Sequence, residues 1–153
     1  MKLARRRSSV WSAVSPMTAR QTIQSYFDAL TIADAERLIS LISSADYFVK
    51  IGTDENEVAH GGDNAVAYYR HHTASTEDFT IDTHYLDVQD RESVAWFTTL
   101  QRWNLAWQGT RETLEMRLTG VLERESGVWR FVQIHASLGT QESTREQGKE
   151  KPE

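Results

Sequence analysis

The chain has no cysteine, which removes disulfide frameworks, thiol nucleophiles, iron–sulfur clusters and cysteine-bound zinc from consideration. No apolar run approaches the ~18–20 residues that a membrane-spanning helix needs. There is no excess of positive charge: 17 Lys and Arg against 22 Asp and Glu leave a formal net charge of −5, which argues against nucleic-acid binding as the main function. The Gly-x-Gly-x-x-Gly, Walker and Gly-x-Ser-x-Gly signatures are missing, so nucleotide binding and serine hydrolase chemistry have no support. His60, His71, His72 and His84 make no metal signature. His71 and His72 are neighbours that project about 100° apart on a helix, unlike the i, i+4 pair of a zinc helix. Asp54, Glu55 and Glu57 lie in a stretch that lacks the twelve-residue calcium pattern, and they read as a solvated lip. No metal and no cofactor is expected.

What is present suits one globular domain. A chain of 153 residues, 39% hydrophobic and 25% charged, can bury roughly 68–70% of the surface it exposes when unfolded. Residues 1–17 carry Lys2, Arg5, Arg6 and Arg7 without an acid, and no apolar stretch follows as a secretory signal requires. They read as a disordered basic extension ahead of an alternative start at Met17, or as a targeting or anion-seeking arm. Residues 139–153 hold no apolar side chain able to pack and read as a disordered polar tail. The domain is expected over residues 18–138, in the cytoplasm.

Thr18 with Gln21 fits a capping box at the start of a helix whose stripe is Ile23, Tyr26, Phe27 and Leu30. Asp34 caps a second helix carrying Leu38, Leu41 and Ile42, and Asp63 a third carrying Ala67, Tyr68 and His71. Residues 47–51 read as a strand and 52–62 as a loop. From there the apolar period changes from 3.6 to 2, with strands expected over 79–89, 93–107, 111–124 and 128–137. Three N-terminal helices on one face of a curved, mostly antiparallel sheet is an α+β fold.

A two-residue hairpin at Gln108-Gly109 places Trp96 opposite Val121, Thr98 opposite Thr119 and Leu100 opposite Arg117. A three-residue loop at Glu125-Ser126-Gly127 places Arg117 opposite His135, Thr119 opposite Gln133 and Val121 opposite Phe131. One face then collects Trp96, Thr98, Leu100, Arg117, Thr119, Phe131, Gln133 and His135. Its few convergent polar groups among aromatics read as a pocket wall. The other face, with Phe97, Thr99, Trp103, Leu114, Met116, Leu118, Val132 and Ile134, reads as the contact of a homodimer.

These residues resemble a known family. Tyr26-Phe27-Asp28-Ala29-Leu30 with Asp34 is similar to the opening helix of the nuclear transport factor 2-like superfamily. The stretches Ile51-Gly52-Thr53-Asp54 to His60-Gly61, Val94-Ala95-Trp96-Phe97, Arg117-Leu118-Thr119-Gly120-Val121-Leu122 and Gly127 to Ser137 resemble its SnoaL-like branch. The resemblance spans about residues 18–138. It implies a cone of three helices over a bent sheet, a deep pocket and a dimer. The superfamily includes steroid isomerases, polyketide cyclases, epoxide hydrolases, dehydratases and non-catalytic members, and fold alone does not choose among them.

Tyr26 lies where the resemblance implies an oxyanion-hole tyrosine, and it also fits an amphipathic core position. The positions of the steroid isomerase base and second donor fall near Lys50 and Thr119, neither a carboxylate. Arg117 and His135 are the favoured pair: an imidazole can take and return a proton while a guanidinium holds an anionic oxygen. The same two side chains could instead be structural. Trp96, Thr98, Thr119, Phe131 and Gln133 are expected to touch the ligand. The expected function is binding of a small organic carbonyl compound, with cofactor-free isomerase, cyclase or dehydratase chemistry. The alternative is a non-catalytic ligand-binding or dimerisation module. No membrane or nucleic-acid partner is expected.

Overall fold

The computed structural model describes residues 15–140. The basic extension and the polar tail read from the sequence therefore fall outside the described residues, apart from 15–17 and 139–140. Three helices and six strands follow in the order α1 (Ala19–Thr31), α2 (Ala35–Leu41), β1 (Val49–Ile51), β2 (Val58–His60), α3 (Gly62–Ser75), β3 (Thr76–Asp90), β4 (Val94–Trp107), β5 (Thr110–Glu125) and β6 (Val128–Leu138). The strands form one sheet in the order β2-β1-β6-β5-β4-β3, with β1 parallel to β6 and the other pairs antiparallel. Among the described residues no helix is long and apolar enough to cross a membrane.

Local chemistry accounts for the helix starts. Thr18 and Gln21 make the reciprocal capping box, with bonds of 3.0 and 3.1 Å, satisfying two N–H groups that the first turn leaves free. Asp34 accepts from the Arg37 N–H at 3.0 Å and caps α2. Asp63 differs from expectation: Gly61 is the N-cap of α3, and Asp63 sits inside the first turn, where its charge complements the helix dipole. The stretch read as a loop contains β2, whose three residues are too short for a visible alternation.

Pairing of β4 with β5 follows the expected register throughout, from Trp107 opposite Thr110 to Trp96 opposite Val121. Gln108 and Gly109 both take positive φ, 47° and 84°, the signature of a tight two-residue turn that matches the strand twist. The β5–β6 register is corrected. Ser126 and Gly127 also take positive φ, 48° and 80°, so this turn too has two residues, and Glu125 pairs with Val128. A bulge at Val132 then inserts one residue. As a result Thr119, not Arg117, faces His135; Arg117 faces Ser137; Val121 faces Gln133; and Phe131 faces Leu122. The bulge separates Phe131 from the phase of Gln133 and His135, because a single added residue turns following side chains to the other face.

Burial identifies the faces. Ala95, Phe97, Thr99, Gln101 and Trp103 of β4 are buried, whereas Trp96, Thr98, Leu100 and Arg102 are exposed. The helices thus cover the face expected to meet a second subunit. Its scarcity of charge is that of a core: Phe27, Phe97 and Phe131 meet edge to face, with centroids 6.3 and 6.0 Å apart, and each such buried side chain contributes roughly 1.5–3 kcal/mol. Gly120 makes room for the Phe97 ring, since a Cβ there would come within 2.8 Å of the Gln133 carbonyl oxygen.

Candidate functional site

At the wide end of the sheet the core does not close. Trp103 and Leu105 of β4 and Leu114 and Met116 of β5 form the apolar wall of a cavity of about 180 Å³. Tyr26 of α1, Lys50 of β1, Glu57 of the β1–β2 loop and Tyr68, Tyr69 and His72 of α3 supply its polar lining. Helical spacing explains the α3 group: 69 and 72 are three apart and 68 and 72 four apart, so all three turn inward. A second, more open hollow of about 600 Å³ shares Glu57, Tyr68, His72 and Trp107 with the first and extends along the β1–β2 loop.

The Tyr26 and Tyr69 hydroxyls are 2.6 Å apart in a fully enclosed setting. Burial pushes both phenols well above the ordinary tyrosine range, so both keep their protons at neutral pH. Either hydroxyl can donate in the mutual bond, which uses one of the two protons and leaves the other free to donate. Tyr68 is likewise pushed up, chiefly by burial.

Lys50 is 4% exposed, and its ammonium lies 5.8 Å from the centre of the Tyr68 ring, within cation–π range. Loss of hydration lowers its pKa to about 8, with Glu57 opposing the shift. Glu57 is half-buried; its carboxylate accepts from the Thr53 N–H at 3.1 Å. Burial first, then the charge of Asp54, raises its pKa, while Thr53 and Lys50 pull the other way. Gly52 permits this fold-back, since a Cβ there would stand 2.7 Å from the Glu57 Cβ.

His72 packs among Tyr68, Phe79 and Trp107, with ring centroids 5.5–6.4 Å away. Burial, followed by the charges of Lys50 and His71, lowers its pKa to about 4. The ring is neutral at pH 7, and its buried Nδ1 has no hydrogen-bond partner among the described residues.

Of the residues expected at the site, Tyr26 lines this cavity. Trp96, Thr98, Arg117, Thr119, Gln133 and His135 are instead exposed on the opposite face. Arg117 is engaged at the strand ends, donating to Ser137 Oγ and the Leu138 carbonyl, both at 3.2 Å. Phe131 is fully buried but packs against Tyr26 and Phe97 in the core and does not line the cavity. For the exposed residues the cause is the same: the face with mixed charge is the outer one, and most of the polar lining comes from the helices, β1 and the β1–β2 loop. Sequence reasoning missed Lys50, Glu57, Tyr69 and His72. The signal available for Lys50 was its place between Val49 and Ile51 in a short apolar strand flanked by Phe48, an unfavourable position for an unpaired charge.

A family model described as a SnoaL-like domain matches residues 19–141. No curated protein gives a significant match. Among solved structures, a Streptomyces avermitilis protein described as a proposed dehydratase of the nuclear transport factor 2-like family is similar at 19% identity and a TM-score of 0.71, over 80% of this chain and 94% of that one. A nuclear transport factor 2-like superfamily protein of Salmonella enterica is similar at 14% identity and a TM-score of 0.71, over 82% and 92%. A ketosteroid isomerase-like protein of Erwinia carotovora is similar at 17% identity and a TM-score of 0.66, over 80% and 94%. At these identities the likeness is one of fold.

Proposed function

The chain belongs to the SnoaL-like domain family, and from that premise we propose that it binds a small carbonyl compound in the cavity beneath its helices and moves a proton on it without a cofactor. The observation that carries this reading is the enclosure, in one apolar-walled cavity, of the Tyr26–Tyr69 hydroxyl pair and the Glu57 carboxylate. A phenolic O–H donates to the carbonyl oxygen and stabilises the negative charge that develops there. Glu57, whose pKa burial raises above the ordinary carboxylate value, accepts the proton from the adjacent carbon. Returning that proton elsewhere gives isomerisation, expelling a β-hydroxyl gives dehydration, and attack of the enolate on a second carbonyl gives cyclisation. Glu57 supplies the carboxylate that the sequence alone did not place. Tyr26 keeps the role of donor, and the part expected of His135 and Arg117 passes to groups inside the cavity.

The test is hydrogen exchange on phenylacetone in deuterated buffer, followed by proton NMR. Catalysed exchange at the methylene, reduced by at least about a hundredfold in Glu57→Gln and Tyr26→Phe, supports the reading. Exchange no faster than in buffer rejects it. A non-catalytic binding or dimerisation module is the second reading. It is favoured by the mutual hydrogen bond of Tyr26 and Tyr69, which satisfies one hydroxyl with the other, and it predicts binding of the ketone without exchange. On either reading a second copy is placed against the outer face, where Trp96 and Leu100 are 39% and 42% exposed.

A further inference from the structure

We propose that Lys50 is an anion receptor at the inner end of the cavity, and that the ligand is a monocarboxylate with a flat apolar body. The inference rests on the cavity being the ligand site as read above and adds the class of ligand. Lys50 is enclosed on β1, with β2 and β6 pairing on either side of it. Among the described residues it makes no ion pair within 4.0 Å and no hydrogen bond, and its ammonium faces the Tyr68 ring. Glu57, the carboxylate that could neutralise it, is held on the Thr53 N–H instead. An ammonium on the cavity wall with no direct ion pair keeps only the longer-range pull of Glu57, and an incoming anion completes its pairing.

Two further features narrow the ligand. His72 of the same lining is neutral at pH 7, so Lys50 is the one cation of that lining among the described residues. The lining also holds the acidic side chains Asp54, Glu57 and Glu112. Beside a single ammonium they oppose a phosphate dianion more strongly than a monoanion. Trp103, Leu105, Leu114 and Met116 leave an apolar slot for the remainder.

The experiment compares phenylacetate, its neutral isostere phenylacetamide and phenylacetone by calorimetric titration at pH 7, on the full chain and on Lys50→Met. Phenylacetate is expected to bind about ten- to a hundredfold more tightly than phenylacetamide, as one charge-assisted contact allows, and Lys50→Met is expected to erase the difference. The thermal midpoint of the variant without ligand separates receptor from scaffold. A receptor gives an unchanged or higher midpoint, and a structural lysine a lower one, which overturns the proposal. Equal affinity of the wild-type chain for acid and amide also overturns it, whether or not the variant folds. If phenylacetone and phenylacetamide bind while the acid holds no advantage, only this inference fails. If none of the three binds, the ligand-site reading fails with it.

Discussion

His72 is a titrating group set where its charged form is disfavoured. Its pKa near 4 lies below the ordinary 6.5, so between those values the unfolded chain holds a proton that the folded chain does not. Stability therefore falls as pH drops from 6.5 toward 4 and is unaffected by this group above 7. Replacing it by Phe, which fits the aromatic surroundings, is expected to remove about 2 kcal/mol of the stability lost between pH 7 and 4.5. Urea unfolding of both proteins at the two pH values measures this, and parallel losses would contradict it. None of this was legible from the sequence. The sequence puts His71, with Ala67 and Tyr68, on the inward stripe of α3, whereas the helix turns Ala65, Tyr69 and His72 inward and leaves Ala67 and His71 exposed.

At the level of elements, the β1–β2 hairpin sets where the Glu57 carboxylate lies. Gly52 is closed against Glu57 by the bond from its N–H to the Glu57 carbonyl at 2.7 Å, and the carboxylate lies over the bare glycine. Gly52→Ala is expected to displace that carboxylate and reduce ketone exchange by at least about tenfold, with a loss of unfolding free energy of roughly 1–3 kcal/mol because the Glu57 Cβ must also move. Exchange measured beside denaturation decides it, since equal exchange would mean Glu57 is positioned otherwise. The three helices, the meander and the β4–β5 register were readable because apolar period and the Gln108-Gly109 turn both point to them. The β5–β6 pairing was not. Ser126 accepts a left-handed conformation more often associated with Gly or Asn, and the Val132 bulge leaves no mark on an alternation that is apolar on both sides. The exchange of the two faces has a different cause: convergent polar groups on a sheet suggest a pocket wall, whereas here the sheet contributes mainly the apolar wall.

For the molecule as a whole, the outer face leaves Trp96 and Leu100 beside Arg117, Thr119, Gln133 and His135 in solvent. Apolar side chains rimmed by polar ones suit a self-complementary contact about a two-fold axis. Native mass spectrometry is expected to find a dimer, and Leu100→Glu a monomer with unchanged far-ultraviolet circular dichroism. A monomeric wild-type protein would remove that contact from consideration.

Apart from Glu112, the polar lining described above comes from residues 26 to 72, whereas Trp103, Leu105, Leu114 and Met116 come from the long hairpin after residue 94. Polar groups and apolar wall are thus encoded largely in separate stretches of one chain. On the function proposed above, exchanging side chains of the first stretch alters the reaction, and altering the second changes the shape of what is admitted. A scaffold so divided can acquire a new reactivity by a few replacements in its leading half without re-solving how to fold.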